Sequence, residues 1–105
     1  MIIIHGKDAA QSCYFDASNQ PNLKVQMGKV VLLPGQRSPK EGFARHKQDE
    51  YSYMIAGSAH TVLESGEDLI GSAGDAQMIL AGEAHYNYND SDRPAEVVWM
   101  LVERE

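Results

Sequence analysis

A chain of 105 residues has room for one domain with one core and too little for two, so the sequence predicts a single domain over residues 1–105. Hydrophobic residues at 43% and charged residues at 23% exclude the disordered and low-complexity classes. The formal net charge of −6 argues against nucleic acid and against an anionic membrane surface, because both forms of binding rest on clustered Lys and Arg; a small-molecule ligand or another protein is the expected partner.

At the N-terminus, Met1-Ile2-Ile3-Ile4 gives way to His5-Gly6-Lys7-Asp8, a run shorter than a signal peptide's apolar region or a membrane span. Cys13 is the only cysteine, so neither an internal disulfide nor a CxxC pair can form. Together these features predict a cytoplasmic protein. The pattern is weakest from Lys7 to Asn22, where Gln11 to Phe15 reads as an edge strand or a loop. From Leu23 alternation takes over: Leu23, Val25 and Met27 share one face and Lys24, Gln26 and Gly28 the other, before the segment becomes apolar on both sides. Pro34-Gly35 stops this strand, and Gln36 to Gly42, with Ser38-Pro39 inside it, reads as a loop. A second strand is expected from Glu50 to Ala56, ended by Gly57. Further strands are expected at Ala59 to Leu63, Ala76 to Leu80, Ala84 to Asn89 and Ala95 to Val102. Each segment between them contains Gly, Pro, Asn or Asp, residues that form turns at low cost. Short strands punctuated this often predict an all-β sandwich or barrel. The last strand is apolar on both faces, Val97, Trp99 and Leu101 against Val98, Met100 and Val102, which predicts a homodimer.

Of the four histidines, His46 and His85 each stand at a loop-to-strand junction among polar residues; His5 is expected to be solvated or to make a local pairing, and His60 opens a strand. Strand parity groups Glu50, Ser52, Met54 and Ala56 on one face, with Tyr51, Tyr53 and Ile55 on the other. Asp49, opposite Glu50, is expected in solvent. The same parity groups His85, Asn87 and Asn89 against Tyr86 and Tyr88. Amides beneath a histidine suit the surroundings of a wet pocket, where they orient ligands or substrate. The four tyrosines and one tryptophan Tyr51, Tyr53, Tyr86, Tyr88 and Trp99 read as sheet-packing or subunit-interface residues. Arg37, Lys40, Arg45 and Lys47 make the loop before Glu50 locally basic, which suits either a carboxylated or phosphorylated ligand or plain solvation.

The segment Gly35 to Asn89 resembles the cupin superfamily. The family's first motif runs from a glycine through a pair of histidines to a glutamate and a second glycine; here the second histidine is His46, followed by Lys47-Gln48-Asp49, Glu50 and, farther on, Gly57. The second motif begins at Gly74, has Leu80 where the family usually has proline, and continues through Gly82 to His85 and Asn89. The resemblance implies an antiparallel cupin or jelly-roll β-barrel of six to ten strands. It also implies a metal site at His46, Glu50 and His85, with Gln48, Ser52, Met54, His60, Asn87 and Asn89 lining or supporting the pocket. Specificity residues would come from the interior, among them Gln26, Met54, His60, Met78 and Asn87.

One departure bears on function: Ala44 stands where the family usually has its first metal-binding histidine. Two readings follow. In one, two histidines and a carboxylate still hold a divalent metal (Fe, Mn, Ni or Zn), with His60, Gln48 or water as a fourth ligand, and the protein acts on a small polar metabolite such as a sugar or sugar acid. In the other, the cupin is metal-free and binds or isomerises a sugar-like ligand, with His46 or His85 as base. A non-catalytic ligand-sensing module is a third possibility, because one barrel hosts many roles.

Overall fold

The computed structural model describes residues 1–6 and 11–105. Among the described residues there are nine strands: β1 (Gln11–Phe15), β2 (Val25–Leu32), β3 (Arg37–Ser38), β4 (Gln48–Ala56), β5 (Ser58–Leu63), β6 (Asp68–Ser72), β7 (Ala76–Ile79), β8 (His85–Tyr88) and β9 (Ala95–Glu103). They form a five-stranded sheet in the order β1-β2-β9-β4-β7, faced by a four-stranded sheet in the order β3-β8-β5-β6. Every strand pairing is antiparallel. This is the all-β jelly-roll architecture expected from the short, turn-punctuated strands.

Residues 7–10, where the ambiguous N-terminal reading began, lie outside the described residues. Gln11 to Phe15 is an edge strand rather than a loop. Two strands depart from the sequence reading. Arg37 and Ser38 pair with Tyr88 and Asn87, so a short strand lies inside what reads as a loop. Asp68 to Ser72 pairs along β5 although Gly71 and Ser72 look like turn residues. A Cβ at Gly71 would lie 2.4 Å from the Gln77 side-chain oxygen, so the bare backbone there leaves room for the flexible end of Gln77.

Register places the site. Within the five-stranded sheet, Glu50 pairs with Leu101 and Ile79, Ser52 with Trp99 and Gln77, and Met54 with Val97. Residues directly opposite in an antiparallel ladder share a face, so all of these look toward the second sheet. Trp99 faces Gly28 across the β2–β9 ladder. A Cβ on Gly28 would fall 2.4 Å from the indole and 2.2 Å from the Ser12 carbonyl, so only glycine leaves the ring its place. In the second sheet Thr61 pairs with Asn87 and Leu63 with His85.

The closed end of the sandwich is packed by Leu32, Met54, Ala59 and Ala95, with Val97 against them; Met54 is 1% exposed and Ala95 fully buried. This apolar floor is small, and above it the two sheets diverge around a cavity of about 680 Å³. Among the described residues, no helix is long and apolar enough to cross a membrane.

Candidate metal centre

His46 lies in the loop that enters β4, Glu50 two residues inside β4, and His85 at the first residue of β8. The loop holding His46 is tied down twice. The Gly82 N–H donates to the His46 carbonyl at 2.7 Å, and Ala44 and His85 exchange backbone hydrogen bonds of 2.8 and 3.0 Å. These ties bring the two histidines together from opposite sheets, with ring centroids 5.3 Å apart at 75°. One ligand atom from each of His46, Glu50 and His85 lies within 4.8 Å of the other two.

The hydrogen bonds set the chemistry of both rings. His46 Nδ1 lies 2.8 Å from the Gln48 carbonyl, and His85 Nδ1 lies 2.9 Å from the Glu83 carbonyl. A carbonyl oxygen only accepts, so each Nδ1 carries the proton and each neutral ring presents an Nε2 lone pair. The His46 Nε2 is buried without a hydrogen-bond partner, 3.7 Å from a Glu50 oxygen. Burial pushes the Glu50 carboxyl above the ordinary glutamate range, while the neighbouring His85 and His46 draw it back down. A buried lone pair, a second imidazole aimed the same way and a carboxylate that gains from a nearby cation form a donor set that fits a divalent metal.

Ala44 borders the same cavity, and its backbone is bonded to that of His85. A histidine at this position would add a fourth donor beside the three; the alanine methyl leaves that side open.

The cavity is lined by His46, Glu50, Ser52, Met54, His85 and Asn87, but the structure places three other pocket candidates elsewhere. Gln48 pairs with Glu103 at the start of β4 and serves the site through its carbonyl. His60 points away from the cavity, because Ala59 and Thr61 take the inward positions of β5. Its ring stacks on Tyr88 at 4.2 Å and holds Asp68 at 2.8 Å and Asp90 at 3.1 Å, which rules it out as a fourth ligand. Asn89 lies past the end of β8, where alternation no longer applies. It is 1% exposed and organises a turn, donating to the Leu32 and Arg93 carbonyls and accepting from Ser91. Gln26 is also absent from the lining, and Met78 touches its edge while pairing with exposed Tyr51 on the outer face.

Other side chains at the site escaped the sequence reading. Asp49 is not solvated: it is 8% exposed, accepts the Ala81 N–H at 2.8 Å and is gripped by the Arg104 guanidinium. That grip, with the Ala81 hydrogen bond, holds its carboxyl below the ordinary aspartate range. Asp49 thus fastens the turn next to Gly82, which in turn holds His46. Thr61, Gln77 and Trp99 line the cavity as well, and ladder partners of Asn87 and Ser52 would have found them had the pairing been known.

No curated protein matches this sequence significantly. Among solved structures, a protein from Thermus thermophilus is 24% identical, with 91% of this chain and 84% of that one covered and a TM-score of 0.71. A predicted oxalate decarboxylase from Thermotoga maritima is 21% identical over 90% and 79% of the two chains, with a TM-score of 0.76. The cupin domain of an XRE-family transcriptional regulator from Enterobacter cloacae is 18% identical over 92% and 100%, with a TM-score of 0.74. At these identities the likeness is one of fold. The family model described as the cupin domain matches residues 28–101, and with the barrel and its inward histidines already in place, the chain belongs to the cupin family.

Proposed function

We propose that this cupin binds a divalent metal through His46, Glu50 and His85 and acts on a small polar metabolite in the cavity beside it. The observation that carries the reading is the buried, unpartnered Nε2 of His46, facing a second imidazole fixed in the same tautomer and a carboxylate. An orphaned buried acceptor costs roughly 1–3 kcal/mol, a cost that a bound cation removes. A metal held there would supply Lewis acidity and open coordination positions, with Fe, Mn, Ni and Zn all compatible with the donor set. The protein's own residues do the rest: the two carbonyls hold the imidazoles in register, Asp49 and the Gly82 N–H hold the loop, and the walls of the two sheets border the cavity.

Metal analysis of protein purified without chelator or nickel resin tests this. The expected result is about one equivalent of metal per chain, lost in His85→Ala. Failure of the intact protein to take up Fe(II), Mn(II), Ni(II) or Zn(II) near neutral pH rejects it.

A second reading draws on Ala44. With one family ligand missing, a metal-free barrel would leave the Glu50 carboxyl above its ordinary range and an Nε2 lone pair as a base toward a sugar-like ligand, or would serve as a non-catalytic ligand-sensing module, a cupin domain of a transcriptional regulator being among the similar folds. A sugar panel that raises the melting temperature of metal-free protein would favour it.

We further infer a cytoplasmic homodimer. Its support is Cys13 without a disulfide partner and an apolar row, Met27, Met100, Tyr51 and Met78, that crosses four strands on the outer face of the larger sheet. Tyr53 and Ile55 extend this row and are 51% and 45% exposed.

A further inference from the structure

Among the described residues, the lining of the cavity contains Glu50, Asp75 and Glu83 but neither lysine nor arginine. The guanidinium groups nearest in sequence to the site are committed elsewhere. Arg37 lies over the Tyr86 ring at 3.8 Å and donates to the Pro39 and Gly42 carbonyls. Arg45 pairs with Glu64 at 2.7 Å and donates to the Gly82 carbonyl. Arg37 and Arg45 therefore fasten the barrel rim, while Lys40 and Lys47 are exposed and do not line the cavity.

Beyond the triad the walls are mostly apolar: Leu32, Met54, Leu63, Val97, Trp99 and Leu101. Two hydrogen-bonded pairs interrupt them from opposite sheets. Gln77 donates to the Ser52 hydroxyl at 3.3 Å, and Thr61 donates to the Asn87 side-chain oxygen at 2.7 Å. Both pairs are oriented so that the Ser52 hydroxyl hydrogen and the Asn87 amide hydrogens are left for a ligand, and each can meet an uncharged oxygen acceptor.

Charge accounting at the metal end is equally restrictive. A divalent cation with one carboxylate and two neutral imidazoles keeps one net positive charge, which a single anionic oxygen head neutralises. A second anionic group would meet carboxylates, apolar walls and the neutral Ser52 and Asn87 donors but no counter-charge among the described lining residues, and burying a charge without a counter-charge is strongly unfavourable.

We infer that the ligand of this cavity is a small molecule with one anionic oxygen-chelating head, such as an α-keto or α-hydroxy carboxylate, and an uncharged, largely apolar tail. Dicarboxylates, phosphorylated metabolites and polyanionic sugar acids are excluded by the same accounting. This rests on the metal reading and narrows the polar metabolite proposed there.

The test uses protein loaded with Mn(II), its metal content measured first, and follows the fluorescence of Trp99, the only tryptophan, which lines the cavity. Ketoleucine, α-ketoglutarate and phosphoenolpyruvate are titrated as probes. The expected result is binding of ketoleucine about tenfold or more tighter than either multiply charged probe, since the second charged group finds no counter-charge. In Asn87→Lys or, from the other sheet, Gln77→Lys, a cation placed in the wall shifts preference toward α-ketoglutarate. Loaded protein that binds α-ketoglutarate or phosphoenolpyruvate as tightly as ketoleucine, or fails to bind ketoleucine at millimolar concentration, overturns the charge inference while leaving the metal reading intact. Absence of Mn(II) uptake instead overturns the metal reading, and the chelating head with it.

Discussion

Each imidazole of the triad donates its Nδ1 proton to a carbonyl two residues away, His46 forward to Gln48 and His85 backward to Glu83. Local backbone thus selects the tautomer before any ligand arrives, and such outer partners are what orient a metal-binding histidine and raise its basicity. His60 shows the opposite environment. Burial alone draws its imidazolium down, but hydrogen bonds and charge from Asp68 and Asp90 outweigh that and leave its pKa above the ordinary histidine value. Because the folded pKa is the higher one, the stabilisation it contributes is complete below the unfolded value of 6.5 and is lost as pH rises through the folded value. Asp68 is held low by the His60 and Tyr88 hydrogen bonds, so its contribution is present above the unfolded value of 3.8 and fades only in stronger acid. The cluster therefore stabilises most between those two ranges. Urea unfolding across this span should show wild-type stability declining from weakly acidic to weakly alkaline pH, with a shallower decline in His60→Ala; identical slopes would remove the cluster from the account.

Strands β2, β4 and β9 carry the sandwich, and alternation makes them legible. Parity assigned Glu50, Ser52 and Met54 to one face, and the structure has them lining the cavity, while Tyr51, Tyr53 and Ile55 point out. Met54 closes the floor where Leu32, Ala59 and Ala95 meet, so Met54→Ala should cost about 2–5 kcal/mol in denaturant unfolding. A change below about 1 kcal/mol would mean that the floor relaxes around the lost volume. The same alternation misleads on β5. Positions 60 and 61 are both polar, so the sequence carries no contrast from which to choose a face. Only the ladder, with Thr61 opposite Asn87 and His60 opposite Tyr88, decides. Asn89 and Asp49 were hidden for a different reason: their roles depend on turn carbonyls, an Ala81 N–H and the distant Arg104, contacts that have no local pattern. The spacing of His46, Glu50 and His85 was legible because a family motif preserves it, although the loop ties that gather the three are backbone hydrogen bonds that any side chain could accompany.

At the scale of the molecule, few side chains are fully buried and much apolar surface lies outside. The Met27, Met100, Tyr51 and Met78 row crosses four strands and is flanked by the Lys29–Glu96 pair at 3.0 Å, and in the proposed homodimer it would pack on its own copy across a two-fold axis. A stable interface buries roughly 800 Å² per partner, which the proposed dimer would have to cover on this face. Light scattering at micromolar concentration should give a dimer, and Tyr51→Lys combined with Met100→Glu should give a folded monomer that still takes up metal, because both residues are on the face away from the cavity. A monomeric wild type would leave the row without the proposed partner. The centre itself is most directly tested by a crystal grown with Zn(II) and measured at the zinc edge. The account predicts one anomalous peak about 2.0–2.2 Å from Nε2 of His46, Nε2 of His85 and a Glu50 oxygen. A metal-saturated crystal with its peak elsewhere, or with His46 and His85 turned so that Nδ1 faces the ion, would contradict it.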